Sequence, residues 1–113
     1  MRRSRRALEQ AVAEARTPNG RAFACYALGL FHDNNDREAA AIPWYREALT
    51  LDLDAQTTAK ARAWLASSLY KTGQYDEALI TLARARRASA GDETLTAFLR
   101  GLEARIRRVS RPE

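Results

Sequence analysis

The sequence predicts an all-α protein, a solenoid of about six helices in a single domain over residues 1–113, and three observations predict it. The chain nearly repeats itself at a spacing of 37 residues: Leu28, Gly29, Ala41, Ile42, Tyr45 and Ala48 return, in kind, as Leu65, Ala66, Ala78, Leu79, Leu82 and Ala85. Each set places a small residue one turn into one helix and more small residues on the next, as two closely packed antiparallel helices require. Repeats at such a period stack into a solenoid, which offers surface to a partner more often than it does chemistry. Composition is the second observation. Ala, Leu, Arg and Glu dominate, only three Pro and five Gly interrupt them, and no segment alternates apolar and polar residues with strand period. Third, a hydrophobic fraction of 46% with 29% charged residues is that of an ordinary globular chain, and 113 residues suffice for one continuous core but not two.

The elements follow in order. Residues 3–16 read as a first helix with Ala7, Leu8, Ala11, Val12 and Ala15 on one side. Thr17-Pro18-Asn19-Gly20 ends it, and Thr17 suits the cap of a second helix with Pro18 at its first position, where the missing amide costs nothing. That helix runs to about Asp33. Asn34-Asn35-Asp36 makes the turn, and Asn35 with Glu38 reads as a capping pair for a third helix ending near Leu51, with Pro43 in its second turn. Asp52–Asp54 forms the next joint. A fourth helix from Ala55 to Thr72 stops at Gly73, a residue suited to a left-handed helix end. Asp76 and Glu77 then place negative charge at the positive start of a fifth helix, which turns Ala78, Leu79, Leu82 and Ala85 inward. Gly91-Asp92 separates it from a last helix, 92–109, with the stripe Leu95, Phe98, Leu99, Leu102, Ile106 and Val109. Arg100 falls on the last helix where the earlier units carry Gly29 and Ala66, and is too large for a tight helix contact. The last helix is therefore expected to cap the stack, with the end of its stripe, Ile106 and Val109, free for a homodimer contact.

Residues 60–85, KARAWLASSLYKTGQYDEALITLARA, resemble the tetratricopeptide repeat family: Leu65, Ala66, Leu69, Tyr70, Gly73, Tyr75, Ala78, Leu82 and Ala85 stand where its pattern wants a large, small or turn residue. Residues 25–52 resemble it at Leu28, Gly29, Ala41, Tyr45, Ala48, Leu49, Leu51 and Asp52. They depart from it at His32, in place of an aromatic, and at Asp36, in place of the turn glycine. Gln56–Thr58 read as an insertion lengthening the family unit of about 34 residues. HDNNDREAAAIPWYREAL and the AFL of residues 97–99 are most similar to the bacterial group 5 subfamily. The resemblance implies a right-handed stack with one unit at 18–52 and a second at 55–89, flanked by the helices at 3–16 and 92–109. It also implies a concave groove, lined by the first helix of each unit, that holds a peptide or protein segment. Carried onto this chain, the groove residues are Phe23, Tyr26, Leu30, Asp33 and Asn34 from the first unit and Lys60, Ala63, Ser67, Tyr70 and Lys71 from the second. Such a mixture of aromatic area and orienting polar groups suits a peptide site. The alternative is that Phe23, Tyr26 and Leu30 pack beneath the amino-terminal helix. The family's Lys and Asn clamp for a terminal carboxylate is not supported, because Tyr26 and Leu30 stand at the matching positions.

Catalysis and metal binding find little to work with. Cys25 and His32 are seven residues apart, roughly 10 Å along a helix, too far to share an ion. Asp33, Asp36 and Glu38 lack the glycine and the distal glutamate of a calcium loop, Trp44 standing at the twelfth position. No phosphate loop, paired-His motif or nucleophile elbow occurs. The expectation is a protein that is not an enzyme and uses no cofactor. A single cysteine excludes an internal disulfide, and no stretch reads as a secretory signal or membrane span, which together point to the cytoplasm.

Charge supplies a second reading. Arg2, Arg3, Arg5, Arg6 and Arg16 gather at one end, and Arg84, Arg86, Arg87, Arg100, Arg105, Arg107, Arg108 and Arg111 at the other, within a net charge of +5. Basic ends of this kind offer phosphate contacts to RNA or DNA, so nucleic-acid association is the alternative function. Against it, no aromatics are interleaved with these arginines and no nucleic-acid motif is visible.

Overall fold

Six helices follow one another in the computed structural model, which describes residues 4–110: α1 (Arg5–Glu14), α2 (Pro18–Asn34), α3 (Glu38–Leu49), α4 (Ala55–Lys71), α5 (Tyr75–Ala88) and α6 (Glu93–Ser110). No strand occurs among the described residues. Residue 3 of the expected first helix lies outside them, as do Arg2, Arg3 and Arg111 of the basic ends. Four helices begin on a side chain that takes an otherwise unpaired amide. Ser4 accepts from Ala7 N at 3.1 Å, Thr17 from Gly20 N at 3.0 Å, Asp54 from Thr57 N at 2.8 Å and Asp92 from Leu95 N at 2.9 Å. The 37-residue period shows in the backbone as well, since α2 and α4 are both 17 residues long and start and stop in the same register. Gln56–Thr58, the extra residues of the second unit, wind into the first turn of α4 and form no bulge.

The two long helices end alike. Asp36 N bonds to Asp33 O and Arg37 N to His32 O; one period later Gly73 N bonds to Tyr70 O and Gln74 N to Leu69 O. Both are Schellman turns, which need a left-handed residue, here Asp36 at φ 59° and Gly73 at φ 82°. The Asn35–Glu38 capping pair is not formed. Asn35 belongs to the end of α2, donating its side-chain amide to Phe31 O at 2.7 Å, and α3 opens after Arg37 with no side-chain cap. The third helix also ends two residues before Leu51, where Thr50 N and Thr50 Oγ1 both bond to Glu47 O.

Packing explains the small residues. Gly29 lets α2 approach α3 so closely that a Cβ there would stand 2.7 Å from the Tyr45 ring. In the second hairpin Ala66 and Leu82, both buried, hold the equivalent positions. The core divides into two clusters. The smaller gathers Leu8 and Val12 of α1 with Cys25, Leu28 and Ala48, and half-buried Trp44, Phe31 and Leu53 close over it. The larger runs from Ala41, Ile42 and Tyr45 through Ala66, Leu69 and Leu82 to Leu95, Leu99, Leu102 and Ile106. On α1 the inward stripe is narrower than its sequence suggests. Leu8 and Val12 are buried, Ala11 and Ala15 half-buried and Ala7 exposed.

α6 covers the flank of the second hairpin with Leu95, Leu99, Leu102 and Ile106, all buried, and Phe98 half-buried, while Arg100 faces solvent. Ile106 is thus not free for a homodimer contact: it completes the α6 stripe against the chain's own core. Of that expected surface Val109 alone remains open, at 50% exposure. Glu103 fastens α6 outside the core, accepting from Arg86 of α5 at 2.7 Å and from Arg107 at 2.9 Å.

Candidate functional site

The first helices of the two hairpins, α2 and α4, carry the expected site residues at matching turns, and α6 lies beside α4 as the third member of the row. One chain of aromatic contacts joins all three. Trp64 Nε1 on α4 donates to the Tyr26 hydroxyl on α2 at 3.2 Å, and the Trp64 ring meets Phe98 of α6 edge to face, with centroids 5.0 Å apart. All three rings are half-buried, with one side on the larger core cluster and the rest open. Burial pushes the Tyr26 hydroxyl above the usual phenol range, so it stays protonated and serves as a polar anchor.

The expected residues divide by what they touch. Leu30, Lys60 and Ser67 are half-buried along this row, and none of the three makes a side-chain hydrogen bond or ion pair within the described chain. Asp33 has another duty: half-buried, it accepts from the hydroxyl of fully buried Tyr45 at 2.9 Å and so locks the first hairpin internally. Burial raises the Asp33 carboxyl above its ordinary range, against the pull of the Tyr45 hydrogen bond, and raises the Tyr45 hydroxyl as well, which keeps the phenol neutral and the donor of the pair. Tyr70 stands 6.0 Å from the Tyr75 ring across the second turn. Lys71 reaches Glu38 at 3.7 Å in a surface pair, and Asn34 is exposed. Phe23 sits apart, 43% exposed, on a hollow of about 490 Å³ shared with Ala11, Glu14 and Ala15 of α1 and Gly20, Ala24 and Ala27 of α2. Phe23 therefore borders α1 without being covered by it, while Leu30 packs on the larger core cluster and Tyr26 touches both.

Ala63 is a correction. It is fully buried in the larger cluster and contributes nothing to an open face. The reason is an exchange of sizes between the repeats, Tyr26-Ala27 on α2 becoming Ala63-Trp64 on α4. Because large and small residues trade places, Tyr26 and Trp64 lean toward each other and meet tip to tip. Reading the second unit in strict register with the first misses Trp64, and with it Phe98. The inverted dipeptide is the signal in the sequence that marks them.

Among the described residues no group of three or more His, Cys, Asp or Glu side chains is arranged to hold a metal ion. Cys25 and His32 are both buried; burial raises the Cys25 thiol above its usual range, which keeps it a neutral packing group. Several arginines are occupied within the chain: Arg86 and Arg107 by Glu103, Arg46 by Glu77 and Arg21 by Glu47. No helix of the described residues is long and apolar enough to cross a membrane.

A family model for the tetratrico peptide repeat, group 5, matches residues 22–109, from the first turns of α2 through almost all of α6. The chain belongs to the tetratricopeptide repeat family. The two Schellman-ended hairpins, the Gly29 and Ala66 contacts and α6 all lie inside the matched segment of this tetratricopeptide repeat protein, whereas α1 lies before it. Searches of curated proteins and of solved structures each gave no match.

Proposed function

We propose that this tetratricopeptide repeat protein is a non-catalytic adaptor that holds a peptide or protein segment along the row formed by α2, α4 and α6. The observation that carries the reading is the aromatic line Tyr26–Trp64–Phe98, half-exposed across three successive helices and flanked by Leu30, Lys60 and Ser67 with unused contact capacity. In tetratricopeptide repeats the first helices of the hairpins line the concave side. Rigid aromatic area with a few polar groups at its edge is what a segment-binding face needs. Asn34, Tyr70 and Lys71 extend the face toward one end, Phe23 offers a separate exposed ring beside α1, and Asp33 supports the face from behind through Tyr45. One buried thiol and the absence of a membrane-crossing helix among the described residues suit a cytoplasmic adaptor.

The test is affinity capture with the intact chain, followed by mass spectrometry, in parallel with Lys60→Glu and Ser67→Arg variants. Both substitutions change half-buried positions on the row that make no internal bond. The expected result is a partner held by the wild type and lost, about tenfold or more weaker, with each variant at unchanged helicity; that is roughly 1.4 kcal/mol. A partner held equally by all three proteins would overturn the assignment of the face. A complex with RNA or DNA that dissolves steeply as salt rises would overturn it in favour of phosphate contacts by the arginines.

A further inference from the structure

His32 is the chain's single histidine, and α2 buries it to 3% exposure where the start of α3 and the first turns of α1 come together. Its Nδ1 accepts a hydrogen bond from Arg37 Nε at 3.2 Å, so that nitrogen carries a lone pair and the neutral ring bears its proton on Nε2. Phe31 lies edge-on to the imidazole with centroids 5.6 Å apart, and the Arg37 guanidinium stands over the Phe31 ring at 5.4 Å. The backbone of His32 is committed to the same place: its carbonyl accepts from Asn35 N at 3.1 Å and from Arg37 N at 2.9 Å, closing the turn between α2 and α3. The charged groups facing the imidazole are Arg37 and, from α1, Arg5 and Glu9. Glu9 is itself paired with Arg5 at 3.2 Å, so a third cation here would meet two guanidiniums and one engaged carboxylate.

Nδ1 is the only ring position left for a second proton, and a proton there turns an acceptor into a donor aimed at a guanidinium. We propose that His32 is an acid-sensitive latch: proton uptake at Nδ1 expels Arg37 from the ring, opening the α2–α3 turn and loosening the docking of α1, while the packing of α4, α5 and α6 persists. The division follows from the core, because α1 packs with Cys25, Leu28 and the Phe31 beside His32 in the smaller cluster, while α4–α6 pack in the larger, to which α3 also gives Ala41, Ile42 and Tyr45. Burial and the Arg37 charge hold the imidazole below its usual range. The unfolded chain therefore takes up a proton first as pH falls. The native state is favoured above the ordinary imidazole range of about 6.5 and loses that advantage as pH descends to the lowered native value. Release of α1 would uncover Leu28 and Cys25, giving the protein an apolar flank in acid that it lacks at neutral pH.

The test is an NMR titration of the full chain from about pH 8 to about pH 4.5, spanning the imidazole range. With one histidine in the sequence, the ring signal needs no assignment by mutation. The expected result is a ring midpoint below that of free imidazole, with the amides of residues 5–14 and 31–40 moving at the same midpoint and those of α5 and α6 unmoved. His32→Gln, which keeps an acceptor for Arg37 but cannot charge, should abolish the acid step. Arg37→Gln, which removes the facing cation, should shift the ring midpoint upward. A ring that titrates at the ordinary value, α1 amides that ignore the ring, or a midpoint unmoved in Arg37→Gln would each overturn the latch.

Discussion

Replacing Gly29 with alanine adds one methyl group at the close contact between α2 and α3. In an open helix the change would stabilise by about 0.8–1 kcal/mol, since glycine is the poorer helix former. Here the new Cβ would stand 2.7 Å from Tyr45 Cδ1 and Cε1 and 3.2 Å from Cζ, about 0.7 Å inside the 3.4 Å at which ordinary contact begins. The ring cannot swing aside, being fully buried and tied through its hydroxyl to Asp33. Overpacking of this kind costs about 1–3 kcal/mol, and a pinned ring places the cost in the upper half of that range. The net expectation is a loss of about 1–2 kcal/mol. For a domain of this size that is a fall of roughly 4–8 °C in Tm, readable by circular dichroism at the helical band. The second hairpin supplies the control, because it holds alanine and leucine at the equivalent positions, Ala66 and Leu82. In a Tyr45→Leu background Gly29→Ala should therefore be neutral or stabilising, a coupling of about 2 kcal/mol across the double-mutant cycle. A Gly29→Ala protein that melts at or above the wild-type temperature would refute the claim that the ring fixes the glycine.

The two Schellman turns differ by one residue. Gly73→Ala, which forces a Cβ into a left-handed φ of 82°, should cost about 1 kcal/mol, whereas Asp36→Gly should gain a few tenths, both read from urea midpoints. Truncation after Gly91 removes buried Leu95, Leu99, Leu102 and Ile106, each contributing about 1.5–3 kcal/mol, which together rival the whole stability of a small domain. The shortened chain should unfold or aggregate, and a soluble product with unchanged helicity and Tm would show that α6 is dispensable. Hydrogen bonds from the Thr57 amide and hydroxyl hold the Asp54 carboxyl below its ordinary range, so its contribution to α4 is present above the usual carboxylate pKa and fades as pH falls through the lowered value. Asp54→Asn keeps an acceptor but no charge and should flatten the acid limb of the stability profile. Superimposable acid limbs would contradict the prediction.

The fold was legible because its strongest constraints are local or periodic. Thr17-Pro18 and Gly73 mark helix ends through side-chain and backbone chemistry that needs no tertiary context, and Gly29, Ala66, Tyr45 and Leu82 repeat at one spacing. Asn35 is ambiguous in sequence because an Asx residue can bond forward to the next helix or back to the previous one, and only the left-handed Asp36 decides which. Ile106 looked spare because the length of α6 lying against the core depends on the angle at which it packs, which periodicity does not encode. The site was legible as a face but not residue by residue. Strict repetition from Tyr26 leads to Ala63, and the side chain that meets Tyr26 is its neighbour Trp64. Asp33 has the position of a groove residue, yet its carboxylate is engaged by Tyr45, a pairing between helices that no spacing rule announces.

The smaller core cluster draws every member from residues 8–53, from Leu8 of α1 to Leu53 just before α4. The larger cluster cannot close until Leu102 and Ile106 have arrived. On a ribosome, which delivers the chain from its amino end, the first hairpin and its α1 cover can thus settle as soon as the α3–α4 joint emerges. The second hairpin must wait with the flank that Leu95, Leu99, Leu102 and Ile106 will cover still open until α6 is made. The interval of greatest exposure during synthesis therefore falls late, between the emergence of α5 and that of α6, and the carboxyl-terminal half is where a translational pause or a chaperone has the most to change.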